Sequence, residues 1–177
     1  MVKKLFYFFL SILILISIYL SLFELLIHTF KTPCDATWTY LLKQQYISLI
    51  DSDMFTIYEK RHLLDVKRLL ETTQRIWIVS ITLSLIILYF FRKSIKIMTK
   101  IGISINLLLL LFSFNFLNNF KLLHTFLFQE STWSFSKSSS LIQCFPLEYF
   151  QSFLTLFLLL SSLIFIFLFW IKIENNK

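Results

Sequence analysis

Two histidines in this chain stand where an imidazole could move protons. His62 lies in "TIYEKRHLLDVKRLL" (residues 56–70), three residues after Glu59 and three before Asp65, and His124 lies in "NFKLLHTFLF" (119–128). Histidine titrates near about 6.5, so it can take or give a proton at neutral pH. An acid three residues along a helix reaches the ring and can hold its tautomer, which makes Asp65 the expected orienter of His62. His28, the third histidine, lies outside both stretches. Taken singly, each histidine is more often structural than catalytic, so the reading depends on what brings His62 and His124 together.

The chain that must position them is 57% hydrophobic over 177 residues, with 22 Phe, one Gly and two Pro. That balance belongs to the membrane class. Four apolar runs, 5–27, 76–91, 101–117 and 150–171, approach the roughly 17–25 residues a span needs. The second is short and can borrow a turn from the amphipathic stretch before it. The first lacks a small-residue cleavage site and is expected to stay as a span rather than be removed as a signal. The expectation is an all-α membrane protein of four transmembrane helices, residues 1–177 forming one domain.

Charge orients it. Eight basic residues and Glu174 fall at one side of the spans, while nine basic and nine acidic residues fall at the other. The whole net charge of +7 therefore sits on one face, which the positive-inside rule makes cytoplasmic. Both termini are then cytoplasmic, and loops 28–75 and 118–149 lie outside. The basic balance reflects topology, and no nucleic-acid partner is expected.

The first outer loop carries its own extracytoplasmic amphipathic helix. Thr56 and Glu59 form a capping box. At about 100° per residue His62, Leu63, Val66, Leu69, Leu70, Thr73, Ile76 and Trp77 share one face, and Lys60, Arg61, Lys67, Glu71 and Arg75 the opposite one. His62 thus points with the apolar stripe. The third span is expected to continue outward until His124 stands a turn or two beyond the hydrocarbon. After a polar turn at 129–132 come Trp133, the simplest reading of which is an interface aromatic, and "SFSKSSS", which reads as a flexible linker. Pro146 then precedes the last span. Asn106, Asn115 and Asn118 are expected to face the bundle interior.

Other chemistries find little support. Three histidines with Asp65 invite a metal, but no HExxH or paired His/Cys spacing is present. No metal or cofactor is expected. Cys34 and Cys144 both fall outside, without a CxxC motif, so they form at most one structural bridge. There is no G-x-S-x-G elbow.

Together the two loops resemble the lipoprotein intramolecular transacylase (Lit-type) family of bacterial four-span membrane proteins. That family carries an acid, a histidine three positions on and an Asp-Val in its first outer loop, matched here by Glu59, His62, Asp65 and Val66. Its second loop carries a histidine followed by Phe residues, a Trp, a Thr-Asp-x-Leu-Ile and a Pro before a Phe-rich span. Here His124, Phe126, Phe128, Trp133, Leu141, Ile142, Pro146 and Phe150 take those places. The resemblance covers nearly the whole chain, and its specificity lies in the combination of short motifs. Ser139 stands where the family has Asp, and the first loop is shorter than the family's.

The resemblance implies a membrane acyltransferase of the bacterial cell membrane with its site at the outer face. Its substrate would be a diacylglyceryl lipoprotein held among membrane lipids. The sn-2 acyl chain would move onto the α-amine of the lipidated cysteine, giving a lyso-form lipoprotein. His62 and His124 would be the catalytic pair, supported by Asp65, Glu59, Trp133 and Ser139. An imidazole suits a proton from an amine that titrates near about 7.7–8.0. Which histidine is the base stays open at this level. The competing class is a non-enzymatic four-span scaffold or lipid-binding subunit, in which the histidines would be interfacial and replaceable.

Overall fold

The computed structural model describes residues 2–30, 34–42, 53–91, 94–129 and 132–174. Among the described residues seven helices run in chain order: α1 (Val2–Thr29), α2 (Asp35–Leu42), α3 (Ile57–Phe90), α4 (Ser94–Ser113), α5 (Phe116–Leu127), α6 (Ser140–Cys144) and α7 (Leu147–Glu174). No strand occurs among the described residues. Four helices, α1, α3, α4 and the α6–α7 stretch, are long and apolar enough to cross a membrane. Arg92 and Lys93 of the turn between α3 and α4, Glu130 and Ser131 of the polar turn, and much of 31–52 lie outside the described residues.

α1 stands at the centre, packed against α3, α4 and α7. Polar side chains set the register. Trp77 Nε1 donates to Ser21 Oγ at 2.9 Å, and Ser84 Oγ to the Leu13 carbonyl at 3.3 Å, so α3 runs antiparallel to α1. Across the bundle Tyr19 donates to Asn106 Oδ1 at 2.7 Å, and Asn106 Nδ2 donates to Ser161 and Ser162. Without water to compete, such interhelical bonds hold spans together where apolar contact cannot tell a neighbour from lipid. The chain's lone glycine sits beside this network. A Cβ on Gly102 would come within 2.5 Å of the Phe165 ring, so the missing side chain is what lets Phe165 bury fully between α4 and α7.

α3 is one unbroken helix of 34 residues. Its first half carries the charges, and its apolar second half, after Arg75, is the crossing part. The capping box at Thr56 is present in both directions. Lys67, expected on the solvated face, is buried instead, its ammonium 4.3 Å from the Tyr40 ring centre. The reason is α2, which packs across α3 there and ties itself to the end of α1 through Trp38 Nε1 and the Ile27 carbonyl, 3.0 Å apart.

The third span departs from expectation. It begins at Ile95 and stops at Ser113, with a break at Phe114 and Asn115 before α5. There the backbone tightens into i→i−3 bonds, Phe114 N–H to Leu111 and Asn115 N–H to Phe112. Asn119 Nδ2 donates to the same Phe112 carbonyl at 2.6 Å, and such a tightened last turn ends a helix. Asn115 and Asn118 are exposed at or beyond this break; only Asn106 of the three faces the interior.

"SFSKSSS" is not a plain linker either. Ser139 caps α6, accepting from the Ile142 N–H at 3.2 Å. At the far end of α6 Cys144 is bonded to Cys34, across 110 residues of sequence. This disulfide sits in an apolar cluster of Leu41, Phe55, Leu63, Leu141, Phe145 and Tyr149, which joins the two loops above α1.

Candidate active site

His62 projects from the first two turns of α3 and is 7% exposed. His124 projects from the last turn of α5, half-buried. Their ring centres lie 6.3 Å apart with the planes tilted by 31°. One tetrahedral carbon between them can lie within reach of both. Four aromatic rings box the pair in. Phe128 and Phe135 stand 4.8 and 5.6 Å from His62, and Phe120 and Trp133 stand 4.1 and 5.4 Å from His124.

Burial holds both imidazoles neutral. His62 is pushed down to about 4, first by desolvation and then by the nearby His124, against an opposing pull from Asp65. His124 is lowered by desolvation as well, while its hydrogen bond to the Phe120 carbonyl pulls the other way. That bond, 2.8 Å from Nδ1 to the carbonyl oxygen, places the proton on Nδ1 and leaves the Nε2 lone pair available. His62 Nδ1, by contrast, is buried without a hydrogen-bond partner. Such an atom is costly in a resting fold and is expected where a ligand completes the bonding.

Asp65 does not orient His62 by a hydrogen bond. Its carboxylate turns to the Arg68 guanidinium, 3.8 Å away one turn along the helix, and reaches the imidazole only as a nearby charge. The oriented ring is His124, and a backbone carbonyl orients it.

Glu59 has a larger part than a helix cap. It is 2% exposed, and its Oε2 accepts from the Thr56 N–H and hydroxyl at 2.7 and 2.8 Å. Its Oε1 accepts from the Leu141 N–H at 3.0 Å, and Ser139 adds a side-chain hydrogen bond. Burial raises its pKa, but these four bonds outweigh burial and hold the carboxyl below its ordinary value. One carboxylate thus ties the start of α3 to the start of α6. The segment between α5 and α6, which carries Trp133 and Phe135, is pinned at its far end.

Sequence reasoning named His62, His124, Glu59, Trp133 and Ser139, and all five lie in or against this box. Phe126, also named, is 85% exposed and points away. Phe120 and Phe135 were missed. Phe120 had a signal, since four residues before His124 on a helix is the same face. His28 lies elsewhere, on the Glu24 carbonyl at 2.9 Å, beside a small cavity shared with Glu71 and Gln74.

Residues 1–150 match the family model described as lipoprotein intramolecular transacylase Lit. The chain belongs to that family. Lit proteins are acyltransferases, and this one is a multi-pass membrane enzyme. The fold agrees with the crystal structure of the membrane-integral lipoprotein intramolecular transacylase Lit from Bacillus cereus. That structure is 22% identical, with a TM-score of 0.68 over 96% of this chain and 89% of the other. At 96% of the chain the likeness reaches beyond the residues the Lit family model matches. No curated protein matches the chain.

Proposed function

We propose that this Lit protein moves the sn-2 acyl chain of a diacylglyceryl-cysteine lipoprotein onto the α-amine of the same cysteine. The α-nitrogen attacks the ester carbonyl carbon, a C–N bond forms and the C–O bond to glycerol breaks. The proton lost by nitrogen ends on the glycerol oxygen, so the total mass does not change. Nucleophile and ester arrive on one molecule, and holding them in attack geometry supplies several kcal/mol without an activated enzyme nucleophile.

The observation that carries this reading is the neutral histidine pair facing across an aromatic box. His124, with Nδ1 committed to the Phe120 carbonyl, presents Nε2 as the base for the amine proton. His62, held neutral by burial, offers its N–H to the oxyanion. The proton that His124 takes from the amine passes from its imidazolium to the leaving glycerol oxygen. Glu59 and Ser139 hold the box together. Asp65 tunes His62 by its charge, and Trp133 shapes the wall beside His124. No metal or cofactor takes part, and residues 1–177 work as one domain.

The site faces outward, with both termini in the cytoplasm of a bacterial cell. The charge asymmetry supports this, and so does the disulfide between the two loops, a bond that persists in oxidising compartments. Mass spectrometry of a lipoprotein N-terminal peptide, with and without the protein, tests the reaction. An acyl group relocated to the amine at unchanged total mass is the expected result. An unaltered lipoprotein would leave a non-enzymatic scaffold as the better reading.

A further inference from the structure

We propose that the cleft between α4 and α7 is the seat of the acyl chain being transferred, and that it sets the chain length the enzyme handles best. This rests on the transfer reaction above. The cleft holds about 450 Å³ and is walled by Leu107, Leu110 and Leu158, with Ser113 and Thr155 at one end and Phe165 at the other. From Ile103 to Ser113 it follows ten residues of helix, about 15 Å at the usual rise.

Its lining suits hydrocarbon. The Ser113 and Thr155 hydroxyls donate to the carbonyls of Leu110 and Gln151, and the Asn106 amide is bonded to Tyr19, Ser161 and Ser162. No polar group of these four residues looks for a ligand. A single acyl chain fits along its length.

The open end leads to the histidines. Ser113 is the last residue of α4, just before the break that starts α5. On the other wall Thr155 lies five residues after Phe150. The Phe150 ring meets Phe120 at 5.0 Å, and the Phe120 and His124 ring centres lie 4.1 Å apart. A chain whose carbonyl sits between the histidines therefore runs down past these rings into the cleft. The second large cleft, about 480 Å³, runs instead along α1 and α3, from Leu25 and Ile81 to Leu88, Ile95 and Leu168. The closed end is Phe165, buried completely because Gly102 has no side chain. Seating the chain also explains how transfer proceeds without release: the acyl carbon stays in place while oxygen on it is exchanged for nitrogen.

The chain enters from lipid, itself hydrocarbon, so the cleft adds little to affinity. Its effect falls on kcat, through placement of the carbonyl. The test uses synthetic diacylglyceryl lipopeptides bearing octanoyl or palmitoyl chains, with the full-length protein in lipid nanodiscs. Leu107→Trp, which fills the lower cleft, should slow the palmitoyl substrate at least about tenfold and the octanoyl substrate less than about twofold. Equal slowing of both would overturn the proposal. A second arm needs no variant. A palmitoyl chain carrying a terminal diazirine should label residues 103–113 or 155–166 of the wild-type protein. Label confined to 81–88, or to bulk lipid alone, would also overturn it. Labelling does not depend on turnover, so a protein that labels in the cleft but transfers nothing would remove the reaction and leave the chain site standing.

Discussion

The carboxylate of Glu59 and the backbone N–H of Leu141 meet at 3.0 Å across 82 residues of sequence. Both groups are buried, and the bond ties the start of α3 to the start of α6 beside the histidine pair. Glu59→Gln keeps the size but sets an amide N–H against donors on one side. The expected loss is about 1–3 kcal/mol for an unsatisfied buried donor. It should be read as a lower Tm in detergent, with acyl transfer falling as the Trp133–Phe135 segment loosens. Unchanged stability would mean that the loops are held by the disulfide alone.

That disulfide gives a separate expectation. Joining Cys34 to Cys144 closes a long loop, and such bonds typically contribute about 2–4 kcal/mol. Cys34→Ser with Cys144→Ser should lower Tm while leaving transfer intact at permissive temperature. A double variant that folds normally and is dead would point to thiol chemistry in place of the histidines.

Gly102→Val tests the packing inside the membrane. The new side chain meets the fully buried Phe165 ring, and overpacking of this kind costs about 1–3 kcal/mol. Pairing it with Phe165→Leu should recover much of the lost thermal stability. Failure of the second change to help would place the strain elsewhere.

Much of this architecture was legible before any coordinates. The 3.6-residue period put His62 on the apolar face of its helix, and Thr56 with Glu59 announced where that helix begins. The four apolar runs gave the spans. What escaped was long-range or compensated locally. Nothing near Glu59 says that a backbone N–H 82 residues away will take its second oxygen. Lys67 looks solvated until α2 covers it. The break after Ser113 lies within an unbroken apolar run, and the Asn119 amide on the Phe112 carbonyl beside it is invisible to hydropathy. Asp65 misled because spacing permits a contact with His62 and equally permits one with Arg68.

The pH dependence follows from burial of His62. Its folded pKa is depressed from 6.5 to about 4, so the unfolded chain binds a proton more readily between those values. Stability from this group is full above pH 6.5 and is lost as pH falls toward about 4. Activity should show no limb at the ordinary histidine value. The acid limb of kcat/KM should instead track the substrate α-amine, near about 7.7–8.0. A limb near pH 6.5 that vanishes in His62→Ala would show that His62 titrates freely.

The most direct test of the central claim is the rate at which N-acylated lyso-lipoprotein appears, followed by mass spectrometry at normalised protein amount. The account predicts that His62→Ala and His124→Ala each lose at least about a hundredfold while inserting and migrating normally. The double variant should be little worse than the poorer single one, because groups acting in one proton-transfer unit do not add. His28→Ala, away from the pair, should keep its rate. Well-folded His62→Ala and His124→Ala proteins with near-normal rates would contradict the account and remove the histidine pair from the reaction.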